Sequence, residues 1–167
     1  MNGELERALA GTERVLFLCS GNMVRSAFAE LYARHLGCPL PVGSAATRYR
    51  NHHILRETAL ALQARGVPEA WTSAFRPRHI SDLLDELSED TLVLGMTHAH
   101  LGALAARPEI FARSFLLTRV LGKPGKLGMT EEIADPVLEG ADFELTFRQI
   151  EGCVRALVGE LRARRSG

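Results

Sequence analysis

Apolar runs of strand length alternate along the chain with segments in which apolar residues recur at helical spacing. The short apolar runs predict four strands, over residues 15–18, 41–47, 91–96 and 114–118. Helical spacing predicts helices over 26–36, 54–62 and 81–87, a helix that begins near residue 97, and a long helix from 143 to the C-terminus. Because strands and helices alternate, we expect a three-layer αβα fold around a central four-stranded parallel sheet.

The remaining segments read as connections. Residues 121–140 contain four glycines and two prolines, which predicts a long loop. Residues 1–13 carry acidic side chains and no long apolar run, so we expect a flexible lead-in rather than a secretory signal. Residues 14–167 are then expected to form a single domain.

Charge and cysteine content exclude several classes of function. The 20 basic and 20 acidic residues balance, which argues against a polybasic surface for nucleic acid or acidic lipid. No apolar run approaches the roughly 20 residues that a membrane span needs. The cysteines, at 19, 38 and 153, form neither a disulfide framework nor a zinc pattern, so we expect a reducing cytoplasm.

The segment C-S-G-N-M-V-R, residues 19–25, stands at the carboxyl end of the first predicted strand, where ligand sites of such folds gather. Gly21 and Asn22 tolerate left-handed backbone conformations and can turn successive N–H groups into one hollow. The N-terminus of the following helix adds further N–H groups, and Arg25 adds a two-pronged donor. This arrangement predicts a cradle for a phosphate.

The same positive environment favours the thiolate form of Cys19, which would face the bound phosphate as a nucleophile. Ser26 is placed to donate a hydrogen bond to the sulfur. The alternative is that Cys19 is a buried structural thiol, as free cysteines often are. The strand before it and the helix after it favour the functional interpretation.

These residues resemble the low-molecular-weight protein tyrosine phosphatases. The segment VLFLCSGNMVRSAFAE (15–30) is similar to their signature, and GSAAT (43–47), LVLGMTHAH (92–100), ADPV (134–137) and FRQIEGCVRAL (147–157) follow in the family's order. The resemblance implies the phosphotyrosine phosphatase I architecture, which is flavodoxin-like. It also implies hydrolysis of protein phosphotyrosine through a phosphocysteine intermediate.

Carried over to this chain, the resemblance implies Cys19 as nucleophile, Arg25 as phosphate clamp and Asp135 as general acid and then base. Asp142 is the second acid candidate, although we expect it to cap the last helix. The expected phosphate-binding residues are Ser20, Gly21, Asn22, Met23, Val24, Arg25 and Ser26, with Ser44 supporting the loop through Asn22 and Ser26.

The chain also departs from the family. Phe75 stands where a histidine that supports the loop is common. Val24 replaces a second loop cysteine, so we expect oxidised Cys19 to lack a local disulfide partner. Val137 and Leu138 replace aromatic residues after the Asp-Pro pair, and Tyr49 is expected to help line the slot for the phenol ring.

The substrate has several candidates. MTHAH (96–100) is similar to the protein arginine phosphatase branch, which has threonine where this chain has Met23. Because apolar Met23 suits an aromatic ring, we place phosphotyrosine first, phosphoarginine second and a small-molecule phosphate ester third. An arsenate reductase would need two relay thiols, and Cys38 and Cys153 are isolated. A non-catalytic phosphate-binding module is the remaining alternative.

His98 and His100 invite a metal hypothesis, but two residues apart at a helix start they point to different sides. We therefore expect histidines with local hydrogen bonds, no metal and no cofactor. The expected partner is a phosphorylated protein or peptide, a cognate kinase is a further possible partner, and neither nucleic acid nor membrane is expected.

Overall fold

The computed structural model describes residues 3–122 and 131–167. Its four strands are β1 (Arg14–Cys19), β2 (Val42–Ala46), β3 (Thr91–Gly95) and β4 (Ser114–Leu116). They form one parallel sheet in the order β2-β1-β3-β4. The predicted strands and the α/β fold class are thus confirmed.

Helices cover both faces of the sheet. They are α1 (Gly3–Ala10), α2 (Arg25–His35), α3 (Arg56–Ala64), α4 (Glu69–Ala74), α5 (His98–Gly102), α6 (Pro108–Phe111) and α7 (Phe143–Ser166). Val15 and Phe17 of β1 face the core under α2 and α7, where the Phe28 and Phe147 rings stack 4.8 Å apart. Leu16 and Leu18 face a second, smaller core. Because β1 is buried on both faces, its carboxyl end is held in place by the core on either side.

The predicted helix over 81–87 is wrong. The chain forms two 3₁₀ turns there, Ile80–Asp82 and Leu84–Glu86, and the His79 side chain, not Ser81, accepts the capping N–H. Ile80, Leu83 and Leu87 are buried in the second core, and two short turns bury them as well as one helix would. The structure also contains the short helices α4 and α6, which the sequence did not predict.

The expectation of a flexible lead-in is wrong for residues 3–10, which form α1. Leu5, Ala8 and Leu9 are buried, and the Arg113 guanidinium donates to the Ala8 carbonyl at 2.5 Å. The helix is therefore part of the packed domain, because its apolar side completes the first core.

The predicted long loop over 121–140 is observed in part. A 3₁₀ turn spans Leu117–Leu121, and residues 131–142 contain neither helix nor strand. The rest of that prediction, residues 123–130, lies outside the described residues. Within the described ranges, no helix is both long and apolar enough to cross a membrane.

Candidate active site

The seven residues from Cys19 to Arg25, here called the cysteine loop, connect the end of β1 to the start of α2. Asn22 adopts the left-handed conformation, with φ of 53°, and its backbone N–H points back to Cys19 Sγ at 3.3 Å. Gly21 does not have a positive φ, and its lack of a Cβ leaves room for the Asn51 side chain. A Cβ at residue 21 would lie 2.8 Å from Asn51 Nδ2, which donates to the Gly21 carbonyl.

The Cys19 sulfur is buried in this loop, where Ser26 Oγ lies 2.9 Å from it. Asn22 Nδ2 donates to Ser26 Oγ at 2.8 Å. Because Ser26 accepts from Asn22, its own hydroxyl hydrogen is free to point at the sulfur. The sulfur thus has two hydrogen-bond donors, the Asn22 backbone N–H and the Ser26 hydroxyl, both of which stabilise a thiolate.

A buried hydrogen-bond chain supports the loop from behind. Asn22 Nδ2 also donates to Ser44 Oγ, and Ser44 donates to Glu30 Oε1, each at 2.8 Å. The Asn22 side-chain oxygen accepts the Arg78 backbone N–H at 2.9 Å. The structure therefore brings together Asn22, Ser26 and Ser44, as the resemblance implied, and adds Glu30 and Arg78.

Glu30 lies at the end of this chain, where it accepts the Ser44 hydroxyl hydrogen. Phe75 is buried in the apolar core and supplies no polar group. Burial raises the pKa of Glu30, while the hydrogen bond from Ser44 and the nearby positive charges of Arg34 and Arg78 lower it. The hydrogen-bond chain behind the loop thus ends on a buried acidic side chain.

Arg25 begins α2 and is 2% exposed. In this structure its guanidinium is held by residues more than a hundred positions away: Nη1 donates to the Ile133 carbonyl at 2.8 Å, and Nη2 lies 3.3 Å from Asp135 Oδ2. The other Asp135 oxygen accepts the backbone N–H of Val137 at 2.8 Å. The Asp-Pro segment is therefore fixed directly over the cysteine loop.

Asp142, the second acid candidate, lies elsewhere. Its side chain accepts the Leu145 N–H at 2.8 Å and caps α7, as the sequence predicted.

His100 belongs to the site, which the sequence did not indicate. The Thr97 backbone N–H donates to His100 Nδ1 at 3.0 Å, so the ring hydrogen is on Nε2, which lies 3.0 Å from Ser20 Oγ. Burial, and then the positive charge of Arg25, lower the pKa of His100 to about 4. A neutral imidazole with one fixed tautomer therefore donates to Ser20.

His98 points away from that contact, and its side chain is 61% exposed. Among residues 3–122 and 131–167, no group of three or more His, Cys, Asp and Glu side chains is arranged to hold a metal ion.

Comparison with known proteins identifies the family of this chain. Residues 14–166 match the family described as low molecular weight phosphotyrosine protein phosphatase. The chain belongs to this family. It is 30% identical to the low molecular weight protein-tyrosine-phosphatase PtpB of Staphylococcus epidermidis over 142 residues, which cover 82% of this chain and 91% of that protein.

Solved structures share the fold at lower identity. The YwlE arginine phosphatase of Geobacillus stearothermophilus superposes with a TM-score of 0.72 at 23% identity, covering 90% of this chain and 94% of that one. The tyrosine phosphatase Wzb of Escherichia coli K30, in complex with sulphate, gives 0.71 at 20% identity, covering 90% and 99%. The phosphatase fold of this family member thus has neighbours named for two different phosphoamino acids.

A cavity of about 320 Å³ opens above the cysteine loop of this family member. The residues that line it include the largely apolar Met23, Tyr49, Val137 and Leu138 and the charged Arg25 and Asp135. Tyr49 therefore lines the same cavity as the two residues that follow the Asp-Pro pair. Two further lining residues, Arg50 and Asn51, were not indicated by the sequence; Arg50 is paired with Asp82 at 2.7 Å.

Proposed function

We propose that this chain is a cysteine-dependent phosphatase that hydrolyses protein phosphotyrosine through a phosphocysteine intermediate. The observation that carries the proposal is that one cavity is lined by a buried cysteine, whose sulfur has two hydrogen-bond donors, and by an arginine and an aspartate that contact each other at 3.3 Å. Membership of the phosphatase family supports it.

In the first step, Arg25 and the N–H groups of the cysteine loop bind the phosphoryl oxygens. Arg25 exchanges its contact with Asp135 for the substrate, and the released Asp135 carboxylate takes up a proton from solvent. The Cys19 thiolate attacks phosphorus, the phosphorus–oxygen bond to the phenol breaks, and Asp135, in its protonated form, gives its proton to the departing oxygen. The negative charge of the transition state lies among donors that are already in place.

In the second step, the Asp135 carboxylate accepts a proton from a water molecule that attacks phosphorus. The sulfur–phosphorus bond breaks and inorganic phosphate is formed. Cys19 leaves as a thiolate, which the Ser26 hydroxyl and the Asn22 N–H stabilise.

Ser20 is the proposed side-chain donor to the phosphate. Its oxygen accepts from His100 Nε2 at 3.0 Å and, more weakly, from Arg25 Nη2 at 3.4 Å. Both lone pairs are thereby used, and the single hydroxyl hydrogen is left to donate to an anion bound on Arg25. His100 is a positioning residue for this hydroxyl.

The cavity walls favour a tyrosyl group. Met23, Tyr49 and Leu138 offer apolar surface for an aromatic ring. A phosphoarginyl guanidinium would need an acceptor, and Asp135 is the one carboxylate among the described lining residues. The relative PtpB, named a protein-tyrosine-phosphatase, agrees with this choice.

The same arguments place the other candidates lower. Burial raises the pKa of Cys38 and raises that of Cys153 to about 12, so both are poor relay thiols for arsenate reduction. The proposed partner is a phosphorylated protein or peptide that a cognate kinase supplies, and the cysteine usage keeps the cytoplasm as the proposed location.

The test is a panel of phosphotyrosyl peptide, phosphoarginyl peptide and p-nitrophenyl phosphate, assayed with wild type, Cys19→Ser, Asp135→Asn and Asp142→Asn. Cys19→Ser should abolish turnover. Asp135→Asn should lose more activity on phosphotyrosine than on p-nitrophenyl phosphate, because nitrophenolate leaves with little help from an acid. Asp142→Asn keeps a helix cap and serves as the matched control.

Three results would contradict the proposal. Full activity of Cys19→Ser would contradict the role of Cys19 as nucleophile. An equal loss of activity on both esters in Asp135→Asn would contradict the role of Asp135 as general acid. A higher kcat/KM for the phosphoarginyl peptide would replace tyrosine by arginine as the substrate.

A further inference from the structure

A second cavity, of about 640 Å³, lies beside β2, the edge strand of the sheet. It is here called the basic groove, and its charged lining residues are Arg14, Arg34, Arg76, Arg78 and Glu30. Trp71, the only tryptophan of the chain, also lines it. Four guanidinium groups and one carboxylate thus share a concave surface that the proposed reaction does not use.

Two of these guanidinium groups converge on one point. Nitrogen Nη2 of Arg78 lies 2.7 Å, and Nη2 of Arg14 lies 3.7 Å, from the position that a Cβ on residue 43 would occupy. Because residue 43 is glycine, the strand leaves that space to the two side chains. Like charges brought this close repel each other unless an anion lies nearby.

The acidic partners compensate only part of this charge. Arg34 Nη2 is bound to Glu30 at 2.7 Å, and Arg14 reaches Glu86 only at 3.8 Å. Arg76 donates to carbonyl oxygens, which carry no net charge. Among the described residues, the Arg78 guanidinium has no hydrogen-bonded acceptor, and the acidic group that it acts on electrostatically is Glu30.

The basic groove is also connected to the cysteine loop by hydrogen bonds. Glu30 accepts from Arg34 on one oxygen and from Ser44 on the other, and Ser44 accepts from Asn22. The backbone N–H of Arg78 donates to the side-chain oxygen of Asn22. Two groove arginines are therefore linked to the residue that shapes the loop.

We propose that the basic groove binds an anion carrying two or more phosphate groups, and that this binding slows the phosphatase. Several guanidinium groups spread over a groove fit a chain of phosphates better than a single phosphate. Free polyphosphate and nucleoside triphosphates share that chemistry. The binding part stands alone, whereas the effect on turnover rests on the proposed function.

The effect on turnover follows from the position of Glu30. A groove anion competes with Glu30 for Arg34 and Arg78. Glu30 is buried, and with fewer cations beside it the carboxylate becomes a poorer acceptor for Ser44 because its neutral form is favoured. Asn22 then loses part of its support, and the cysteine loop is less well held for catalysis.

Binding is measured by the fluorescence of Trp71 in the full-length protein, titrated with inorganic tripolyphosphate or with ATP. We expect a saturable change with at least one of them. Arg78→Gln, which keeps the backbone N–H to Asn22, should weaken binding about tenfold, or roughly 1.4 kcal/mol. Arg148→Gln, on an exposed arginine of α7, is the matched control and should bind as wild type does.

If only tripolyphosphate or only ATP binds, the result shows whether free polyphosphate or a nucleoside triphosphate is the ligand, and it still supports the site. The absence of a saturable change with both, or equal affinities in wild type and Arg78→Gln, would overturn it. These measurements need no catalytic turnover, so they can succeed even if the chain hydrolyses none of the proposed substrates.

The effect on turnover is measured with the phosphotyrosyl peptide at fixed tripolyphosphate. A probe in the cavity above Cys19 competes with substrate and raises KM alone, whereas a probe in the basic groove should lower kcat. The kcat loss should disappear in Arg78→Gln and persist in Arg148→Gln. If kcat stays constant while Trp71 reports binding, the coupling is refuted and the binding site stands.

Discussion

The pH dependence of folding stability tests the environment of His100 directly. The perturbation is His100→Gln, which removes the titrating ring and keeps an amide N–H that can reach Ser20. In the folded protein the ring is buried and lies near Arg25, and burial first, then the charge of Arg25, lower the pKa of His100 from 6.5 to about 4.

The sign follows from which state binds the proton. Between these two pKa values, the unfolded chain takes up a proton at residue 100 and the folded chain does not, so the free energy of unfolding falls as the pH falls. The loss from this residue should reach about 2 kcal/mol between about pH 7 and about pH 4.5, and roughly 3 kcal/mol at still lower pH. His100→Gln lacks this component.

The assay is urea unfolding of wild type, His100→Gln and His98→Gln at about pH 7 and about pH 4.5. Wild type should lose about 2 kcal/mol more than His100→Gln over this interval. His98→Gln alters an exposed histidine of the same helix, retains His100 and should follow wild type. Equal losses in wild type and His100→Gln would refute the inferred burial of a neutral imidazole.

Three further predictions concern single groups. Asn22→Ala should cost about 2–4 kcal/mol in urea unfolding and most of the phosphatase activity, because the loop loses its left-handed residue and three side-chain hydrogen bonds; unchanged kcat/KM would contradict this. Asp142→Ala should lower stability by about 1 kcal/mol through the lost cap on Leu145, with activity retained. Peroxide should oxidise Cys19 without forming a disulfide, because Val24 offers no thiol, and mass spectrometry measures this. A disulfide from Cys19 to Cys38 or Cys153 would contradict the prediction.

The strands were predictable because their burial is expressed locally. The apolar runs at 15–18 and 91–96 are buried on both sides of a parallel sheet, so each reads as a continuous apolar run. Helix α6 has only four residues, too few to show a helical period. Residues 81–87 have apolar spacing that suits a helix or two 3₁₀ turns, and packing decided between them.

The candidate site divides in the same way. Cys19, Asn22, Arg25 and Ser26 fall within eight consecutive residues, so their arrangement follows from one strand, one turn and one helix. Asp135 came from the family resemblance, because its approach to Arg25 depends on a contact across the fold. The bond from His100 to Ser20 spans 80 positions and has no local signal beyond the capping pattern at Thr97.

The contact between Arg25 and Asp135 has a consequence for how the site operates. The clamp is already neutralised by a carboxylate at 3.3 Å in this structure, and that carboxylate is in turn held by two backbone N–H groups. A phosphate that enters therefore replaces the Asp135 carboxylate on Arg25, so binding of the substrate is an exchange of one anion for another. The displaced counter-ion is the same side chain that the reaction next needs as its acid: once released from Arg25, the Asp135 carboxylate takes up a proton from solvent and can then donate it to the leaving oxygen.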